Sequence, residues 1–519
     1  MATESNLEGK VRNTNSFSEI YDVVVIGAGP VGLATALGLR KRGIENLVIL
    51  DQTHAFRQVG QGLDLLPNGL KALKYLDTQA YEEVKKTGNR LFNPKPSHES
   101  AGTTQEPKPP KASAEWVQKN LQGQRISSIS LNFDDWFKEY GEGRVSIAWY
   151  DLQTTLRHLL PQEWVKTNHR CINVVEESEN GCVRVDCVLD TTIEANPYAH
   201  WLEGQKAEEM QPQNSETISQ SLETKSIRAR LVIAADGINS TVRQVLYKDS
   251  SYSAFARPEY SGFAAIGCRE IVDISNDLRT EIEDKFFQGS PILTISNNEI
   301  SGDSAYQKNP RMLLFQRPGG QVGYIIHLAL PLDSLQGKSG SSALDLAVQE
   351  LEKAGFPHVL KQLARISSPA HMLQRPYYIH RAIISDSIQL PSTANPNASD
   401  RSVTIQPAWS AGRVVLVGDA AHGMPPFMAQ GANQGLEDAL AVVTLIANLA
   451  QKNNWHDTQA IAQAFEKYEQ LRRPFMVRIQ QATLNGMSHR SEKERQEYNQ
   501  QMYGRNFNQA IEALLANSH

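Results

Sequence analysis

A chain of 519 residues with 52 Lys and Arg against 57 Asp and Glu carries a net charge of only −5, with the basic residues dispersed. That excludes the concentrated positive surface by which proteins hold a nucleic-acid backbone. Four cysteines without a CxxC pair, Cys171, Cys182, Cys187 and Cys268, argue against a disulfide scaffold or a thiolate metal site and suit free thiols in a reducing, cytoplasmic compartment. The length exceeds a single hydrophobic core, so two intimately packed domains are expected.

The polar start, residues 1–20, lacks the apolar core of a signal peptide and reads as a flexible tail. Residues 22–26 then read as a short strand of the kind buried on both faces of a parallel sheet. The turn Gly27-Ala28-Gly29-Pro30-Val31-Gly32 follows. Gly27 permits the tight turn, Gly29 lets backbone amides approach a pyrophosphate, and Gly32 lets the next helix pack closely on the strand. In residues 31–42 the side chains of Leu33, Ala34 and Leu37 share one helical face with Gly38, and Gly43 supplies a stop. Residues 47–50 form the second strand, and Asp51 follows the glycines by the roughly twenty residues needed to meet a ribose hydroxyl. This order is a dinucleotide-binding unit, and NAD and FAD sites share it.

Residues 93–114 and 203–226 are polar and unable to bury much apolar surface. The first is expected as a surface insertion, with a lid or partner loop as the alternative, and the second as an extended hairpin or crossover. Residues 231–235 form another buried strand, broken by Asp236-Gly237, with Asn239, Ser240 and Arg243 opening a helix. A carboxylate at the carboxyl end of a parallel strand faces the ligand crevice, although Asp-Gly is also a common turn. In the middle, residues 312–317 and 322–328 read as a hairpin around Pro318-Gly319-Gly320. Alternation leaves Phe315, Tyr324 and His327 open as either core or ligand contacts. Residues 413–417 are a third buried strand, ending in Gly418-Asp419 and leading through His422 to Pro425-Pro426-Phe427. Gly431-Ala432-Asn433 then enters an apolar helix whose positive end favours an anion, such as a reduced isoalloxazine ring. Glu437, Asp438 and Asn448 interrupt that helix, so no transmembrane segment is expected.

The three runs resemble, in order and wording, the GxGxxG, DG and GD fingerprints of the FAD-dependent aromatic hydroxylases, the single-component (class A) flavoprotein monooxygenases. Residues 57–68 and 465–474 are also similar to that family. The resemblance implies an α/β fold like that of para-hydroxybenzoate hydroxylase. A Rossmann-like FAD-binding domain (residues 21–260 and 407–519, with C-terminal helices) would interleave with a mainly antiparallel substrate sheet (residues 261–406). It implies FAD as cofactor, with NAD(P)H, O2 and a small-molecule substrate as partners. Oxygen would reach an aromatic or otherwise electron-rich molecule through a flavin C(4a)-hydroperoxide, by hydroxylation or epoxidation.

Residue by residue, the resemblance assigns the pyrophosphate loop to Gly27, Ala28, Gly29 and Gly32, and the adenosine ribose to Asp51. It places Arg57 and Gln61 near the ribityl chain and pyrophosphate, and Cys171 at the adenine. Asp236 and Arg243 match the DG fingerprint, Asp419 matches the ribityl-bonding carboxylate, and Gly431, Ala432 and Asn433 match the backbone presented to the ring. Pro425, Pro426 and Phe427 match the ring edge beside the substrate. Many relatives have an arginine or glutamine near Tyr150 that touches FAD, a contact this chain puts in doubt, and His422 is expected to be structural. The alternatives are a flavin-dependent halogenase or reductase on the same scaffold, or a flavin-binding protein without turnover. None of the seven tryptophans has another two positions away, which argues against the WxWxIP segment of halogenases.

Overall fold

The computed structural model describes residues 20–54, 56, 62–88, 115–189, 224–297, 309–316, 321–386, 403–485 and 492–516. The tail 1–19, the insertion 93–114, residues 203–223 of the second polar stretch, the turn 318–320, Arg57 and Gln61 lie outside the described residues.

Val- and Ile-rich strands with no polar face must be covered on both sides, and here they form the centre of an eight-stranded sheet. Its parallel core runs Val414–Leu416, Thr224–Ala234, Tyr21–Ile26, Leu47–Leu50 and Val165–Lys166. Val23, Val24, Val25, Ile49, Leu231 and Val232 are wholly buried within it. The antiparallel pair His169–Glu177 and Cys182–Leu189 joins through the first half of Thr224–Ala234. The last rung of the parallel core aligns Leu50, Ile26, Ala234 and Leu416. Each chain therefore leaves the sheet along one edge, which gathers Gly27, Asp51, Asp236 and Asp419 from positions nearly four hundred residues apart.

The helix Pro30–Lys41 packs between this sheet and the long buried helix Gly431–Gln451, which also meets Pro67–Leu76 and Thr458–Leu484. The last of these runs through Pro474 beyond the expected 465–474, and Glu492–Tyr503 and Phe507–Leu515 complete the C-terminal helices.

A second sheet has seven strands, in the order Met372–Ile379, Glu259–Ile271, Val322–Ala329, Arg311–Gln316, Ile292–Ser296, Glu115–Lys119 and Arg125–Ser130. All neighbours are antiparallel except Ile292–Ser296 with Glu115–Lys119. Its last two strands, Glu115–Lys119 and Arg125–Ser130, lie far ahead of residue 261 in the chain and yet pair into this sheet. Local alternation cannot reveal this, because it names a strand's faces and not its partner. Tyr324, Ile326 and Leu328 point into a core under the helices Ser341–Lys353 and His358–Arg365. Tyr324 is thereby core, its hydroxyl 3.0 Å from Ser367 Oγ. Among the described residues no helix is long and apolar enough to cross a membrane.

Candidate cofactor and substrate site

The glycine turn has the shape its spacing predicts. Gly27 sits at φ +104°, and a Cβ there would overlap the Ala235 carbonyl. A Cβ at Gly32 would overlap the Gly27 carbonyl, so only glycine lets the helix come this close to the strand. A Cβ at Gly29, in contrast, would meet nothing within 4 Å, which leaves an open cradle beside a helix start with no side-chain cap. First-turn amides without a capping side chain are the donors that phosphate oxygens use.

Asp51 closes this loop from the second strand. Its carboxylate accepts from the Ala28 amide at 2.6 Å and from the Thr53 amide and hydroxyl at 2.9 and 2.8 Å. Two carboxylate oxygens retain acceptor capacity beyond these bonds. Gln153, on the helix Trp149–His158, donates from Nε2 to the Ala28 carbonyl at 2.7 Å. Its buried Oε1 has no hydrogen-bond partner among the described residues. The contact doubted near Tyr150 therefore has a candidate one helical turn on, a position that helical periodicity could have indicated.

Cys171 is buried on the strand beside Asp236, with Cys187 directly opposite. Burial first, and then Cys187 and Asp236, push its thiol well above the ordinary range, so it stays protonated. Asp236 accepts from the Val242 amide at 3.2 Å through Oδ2, while its buried Oδ1 has no partner among the described residues. Burial raises its carboxyl, against hydrogen bonds that lower it. Arg243 is turned inward. It donates to the carbonyls of Phe255 (3.0 Å), Ala420 (3.1 Å) and Ala421 (2.9 Å), and so ties the second fingerprint to the third.

Asp419 has an exposed side chain at this edge, and the protein packed around it raises its carboxyl, with His422 opposing the shift and Asp438 adding to it. A Cβ on Gly431 would stand 3.7 Å from Asp419 Oδ1, so this carboxylate borders the start of the helix Gly431–Gln451. That start also has no side-chain cap, and Gly431 and Ala432 are only partly buried. Asn433 is fully buried and its side chain is committed to structure. It accepts from the Leu66 amide at 2.9 Å and donates to the carbonyls of Asp64 (2.8 Å) and Ala429 (2.6 Å). Only its backbone remains for a ligand.

His422 is buried with Nε2 donating to Asp438 at 2.5 Å, and the same carboxylate accepts from the Gly418 amide (2.9 Å) and Arg472 Nε (2.8 Å). Arg472 and Arg505 also bind Glu437. This is a buried anchoring network that ties His422 to the helix Gly431–Gln451.

The loop ahead of the helix carries Pro425, Pro426 and Phe427, and Ala429 ends it at φ +52°, a left-handed conformation unusual for alanine. Phe427 meets the second sheet edge-on. Its ring centroid lies 5.2 Å from Phe263, 5.3 Å from His327 and 5.5 Å from Tyr377. Tyr377 Oη lies 3.2 Å from His327 Nδ1. Burial, then Arg311 and Arg375, lower His327 to about 3, so its ring is neutral at physiological pH. His327 is thus on the loop-facing side of the sheet, opposite Tyr324. Phe263 and Tyr377 had no motif to mark them, and only strand pairing brings them here. A cleft between the helices Thr458–Leu484 and Glu492–Tyr503, about 1020 Å³ in volume, shares no residue with this site.

The arrangement fits FAD: an open glycine cradle and two uncapped helix starts supply donors, and Gln153 Oε1 and Asp236 Oδ1 supply acceptors that have no partner among the described residues. The family described as FAD binding domain matches residues 20–77 and 377–483, which hold the first and third fingerprints. The chain is 26% identical over 459 residues to a 3-amino-4-hydroxybenzoate 2-monooxygenase of Streptomyces cremeus, covering 87% of this chain and 83% of that protein. In fold it resembles a salicylate hydroxylase solved as a substrate complex, with TM-score 0.59, 17% identity and coverage of 96% and 99% of the two chains. It also resembles the HpxO protein of Klebsiella pneumoniae complexed with FAD and uric acid, with TM-score 0.55, 16% identity and 95% coverage of each chain.

Proposed function

Because the chain belongs to the family of FAD-dependent, aromatic hydroxylase-type flavoprotein monooxygenases, we propose that it uses NAD(P)H and O2 to hydroxylate or epoxidise an electron-rich small molecule, most simply an aromatic one. The observation that carries this reading is the position of Phe427. One short loop sets its ring against Phe263, His327 and Tyr377 on the second sheet and then starts the helix beside Asp419.

FAD, when bound, supplies hydride acceptance and oxygen-atom transfer. The Val31 and Gly32 amides and the open space at Gly29 would hold the pyrophosphate, Asp51 and Gln153 the adenosine end, and Cys171 the adenine through its backbone. Asp236 and Asp419 would hold the middle of the molecule. The amides of Gly431, Ala432 and Asn433, at a positive helix end, would stabilise negative charge on the ring. Arg243 acts as a positioning residue, because its donors hold the Ala420 and Ala421 carbonyls that set the direction of Asp419. Phe427 and the Pro425-Pro426 pair would give the substrate a rigid apolar wall and keep water away. Arg57 and Gln61 remain proposed contacts near the ribityl chain and pyrophosphate, and the two-domain division with a substrate sheet is part of the same reading.

The test is oxygen uptake by the FAD-loaded protein with NADH or NADPH against phenols and other electron-rich compounds. Substrate-stimulated nicotinamide oxidation with a product heavier by one oxygen atom is expected. Nicotinamide oxidation yielding a reduced product without oxygen uptake would sink the proposal.

A further inference from the structure

Asn433, the third residue of the helix Gly431–Gln451, accepts from the Leu66 amide and donates to the Asp64 carbonyl, so the strand Gly62–Leu65 is fixed against the helix start. Along that strand Leu65 is wholly buried in the core, and alternation turns Asp64 to the opposite face. Ser146, on the strand Val145–Ala148, is the direct partner of Asp64 and donates its hydroxyl to the Asp64 carboxylate. Arg144, just ahead of that strand, grips the same carboxylate with its fork, Nη2 to Oδ2 at 2.8 Å and Nε to Oδ1 at 3.2 Å.

This ion pair is shut away from water, with the Arg144 side chain 4% exposed and that of Asp64 17%. Charges so placed are weakly screened. The pair also lies close to the residue that precedes the helix, because both charges act on Tyr503, whose hydroxyl accepts from Gln430 Nε2 at 3.4 Å. Stability alone does not call for charges here, since well-packed apolar side chains can replace a buried ion pair at little cost. Hydride transfer brings FAD two electrons and one proton, which leaves one negative charge on the ring proposed to lie at this helix start. An uncompensated Asp64 would repel that charge, and Arg144 cancels the repulsion.

We propose that Arg144 is a positioning residue that holds and neutralises Asp64 and so sets the reduction potential of the bound flavin, an inference that rests on the FAD placement above. Asp419 and the Glu437–Asp438 network remain when this pair is varied, so a double-mutant cycle isolates its contribution.

The test measures the midpoint potential of the FAD-loaded protein by dye-linked titration, together with the affinities of the flavin-free protein for oxidised and reduced FAD. Arg144→Gln leaves Asp64 uncompensated and is expected to favour oxidised over reduced FAD about tenfold, a fall of about 30 mV for a two-electron couple. Asp64→Asn leaves Arg144 uncompensated and should raise the potential by a similar amount. Arg144→Gln/Asp64→Asn should return it to the parent value, and Arg144→Lys should hold that value, because it keeps the charge without the fork. A merely structural pair would weaken both affinities in equal measure in each single variant and leave the potential unmoved. That outcome, shifts of one sign in both single variants, a double variant that stays with either single, or an Arg144→Lys potential that follows Arg144→Gln overturns the proposal. Opposite shifts without oxygen uptake would leave it standing and overturn the monooxygenase reading, whereas unmoved potentials with oxygen uptake would do the reverse. A protein that binds no FAD overturns both.

Discussion

Gly29 and Gly32 stand three residues apart and do different physical work. A Cβ at Gly29 enters open space, whereas one at Gly32 enters backbone. Gly29→Ala is therefore expected to leave the melting temperature of the flavin-free protein unchanged while weakening FAD binding about tenfold or more, through lost approach to the pyrophosphate. Gly32→Ala should destabilise the flavin-free protein by about 1–3 kcal/mol, the usual cost of overpacking. Thermal melts and the flavin-to-protein absorbance ratio separate the two outcomes. His327 gives a pH dependence. Its folded value of about 3 lies below its ordinary range, so between these values the unfolded chain binds the extra proton and stability must fall as pH falls. Between pH 7.5 and 5.5 this group should cost up to about 1.4 kcal/mol, and His327→Asn should lose that part of the slope in urea titrations at the two pH values.

The helix Gly431–Gln451 owes its position to side chains that hold its start rather than cap it. Asn433 reaches the Leu66 amide and the carbonyls of Asp64 and Ala429, joining the helix to the strand Gly62–Leu65 and to its own leading loop. Asn433→Ala strands these buried groups and should cost about 1–3 kcal/mol in denaturant titration. FAD retention should fall with it, because the ring would rest on the same turn. Unchanged flavin content at reduced stability would separate the clamp from the cofactor site. The helix itself was legible from its apolar run and its glycine start. The clamp was not, because Leu66 and Asp64 lie over 360 residues away in the chain.

At the scale of the molecule, a buried polar network fastens the C-terminal helices to the fingerprint edge. Asp438 binds Gly418, His422 and Arg472, while Glu437 accepts from Asn68 at 2.7 Å and binds Arg472 and Arg505. Burial disfavours the charge on Asp438, but His422 and then Arg472 more than offset it and hold its carboxyl below the usual range. Breaking one partner of such a set is strongly destabilising, so Asp438→Asn is expected to lower stability by about 3–5 kcal/mol in chemical denaturation. A loss below about 1 kcal/mol would show the network to be peripheral, since exposed pairs contribute no more than that.

The amino-acid sequence by itself determined the α/β sheet core, the three fingerprints and the resemblance to FAD-dependent monooxygenases. Buried parallel strands need unbroken apolar runs, and phosphate loops need glycine at set spacing, so both are written locally. Only the tertiary structure decided that Glu115–Lys119 and Arg125–Ser130 join the second sheet, that Tyr324 is core while His327 faces the loop, and that Phe263, Tyr377, Arg311 and Arg375 converge there. Strand alternation defines two faces without saying which is covered. That choice is made by the partners that pack against them: the helices Ser341–Lys353 and His358–Arg365 on one side and Phe427 on the other.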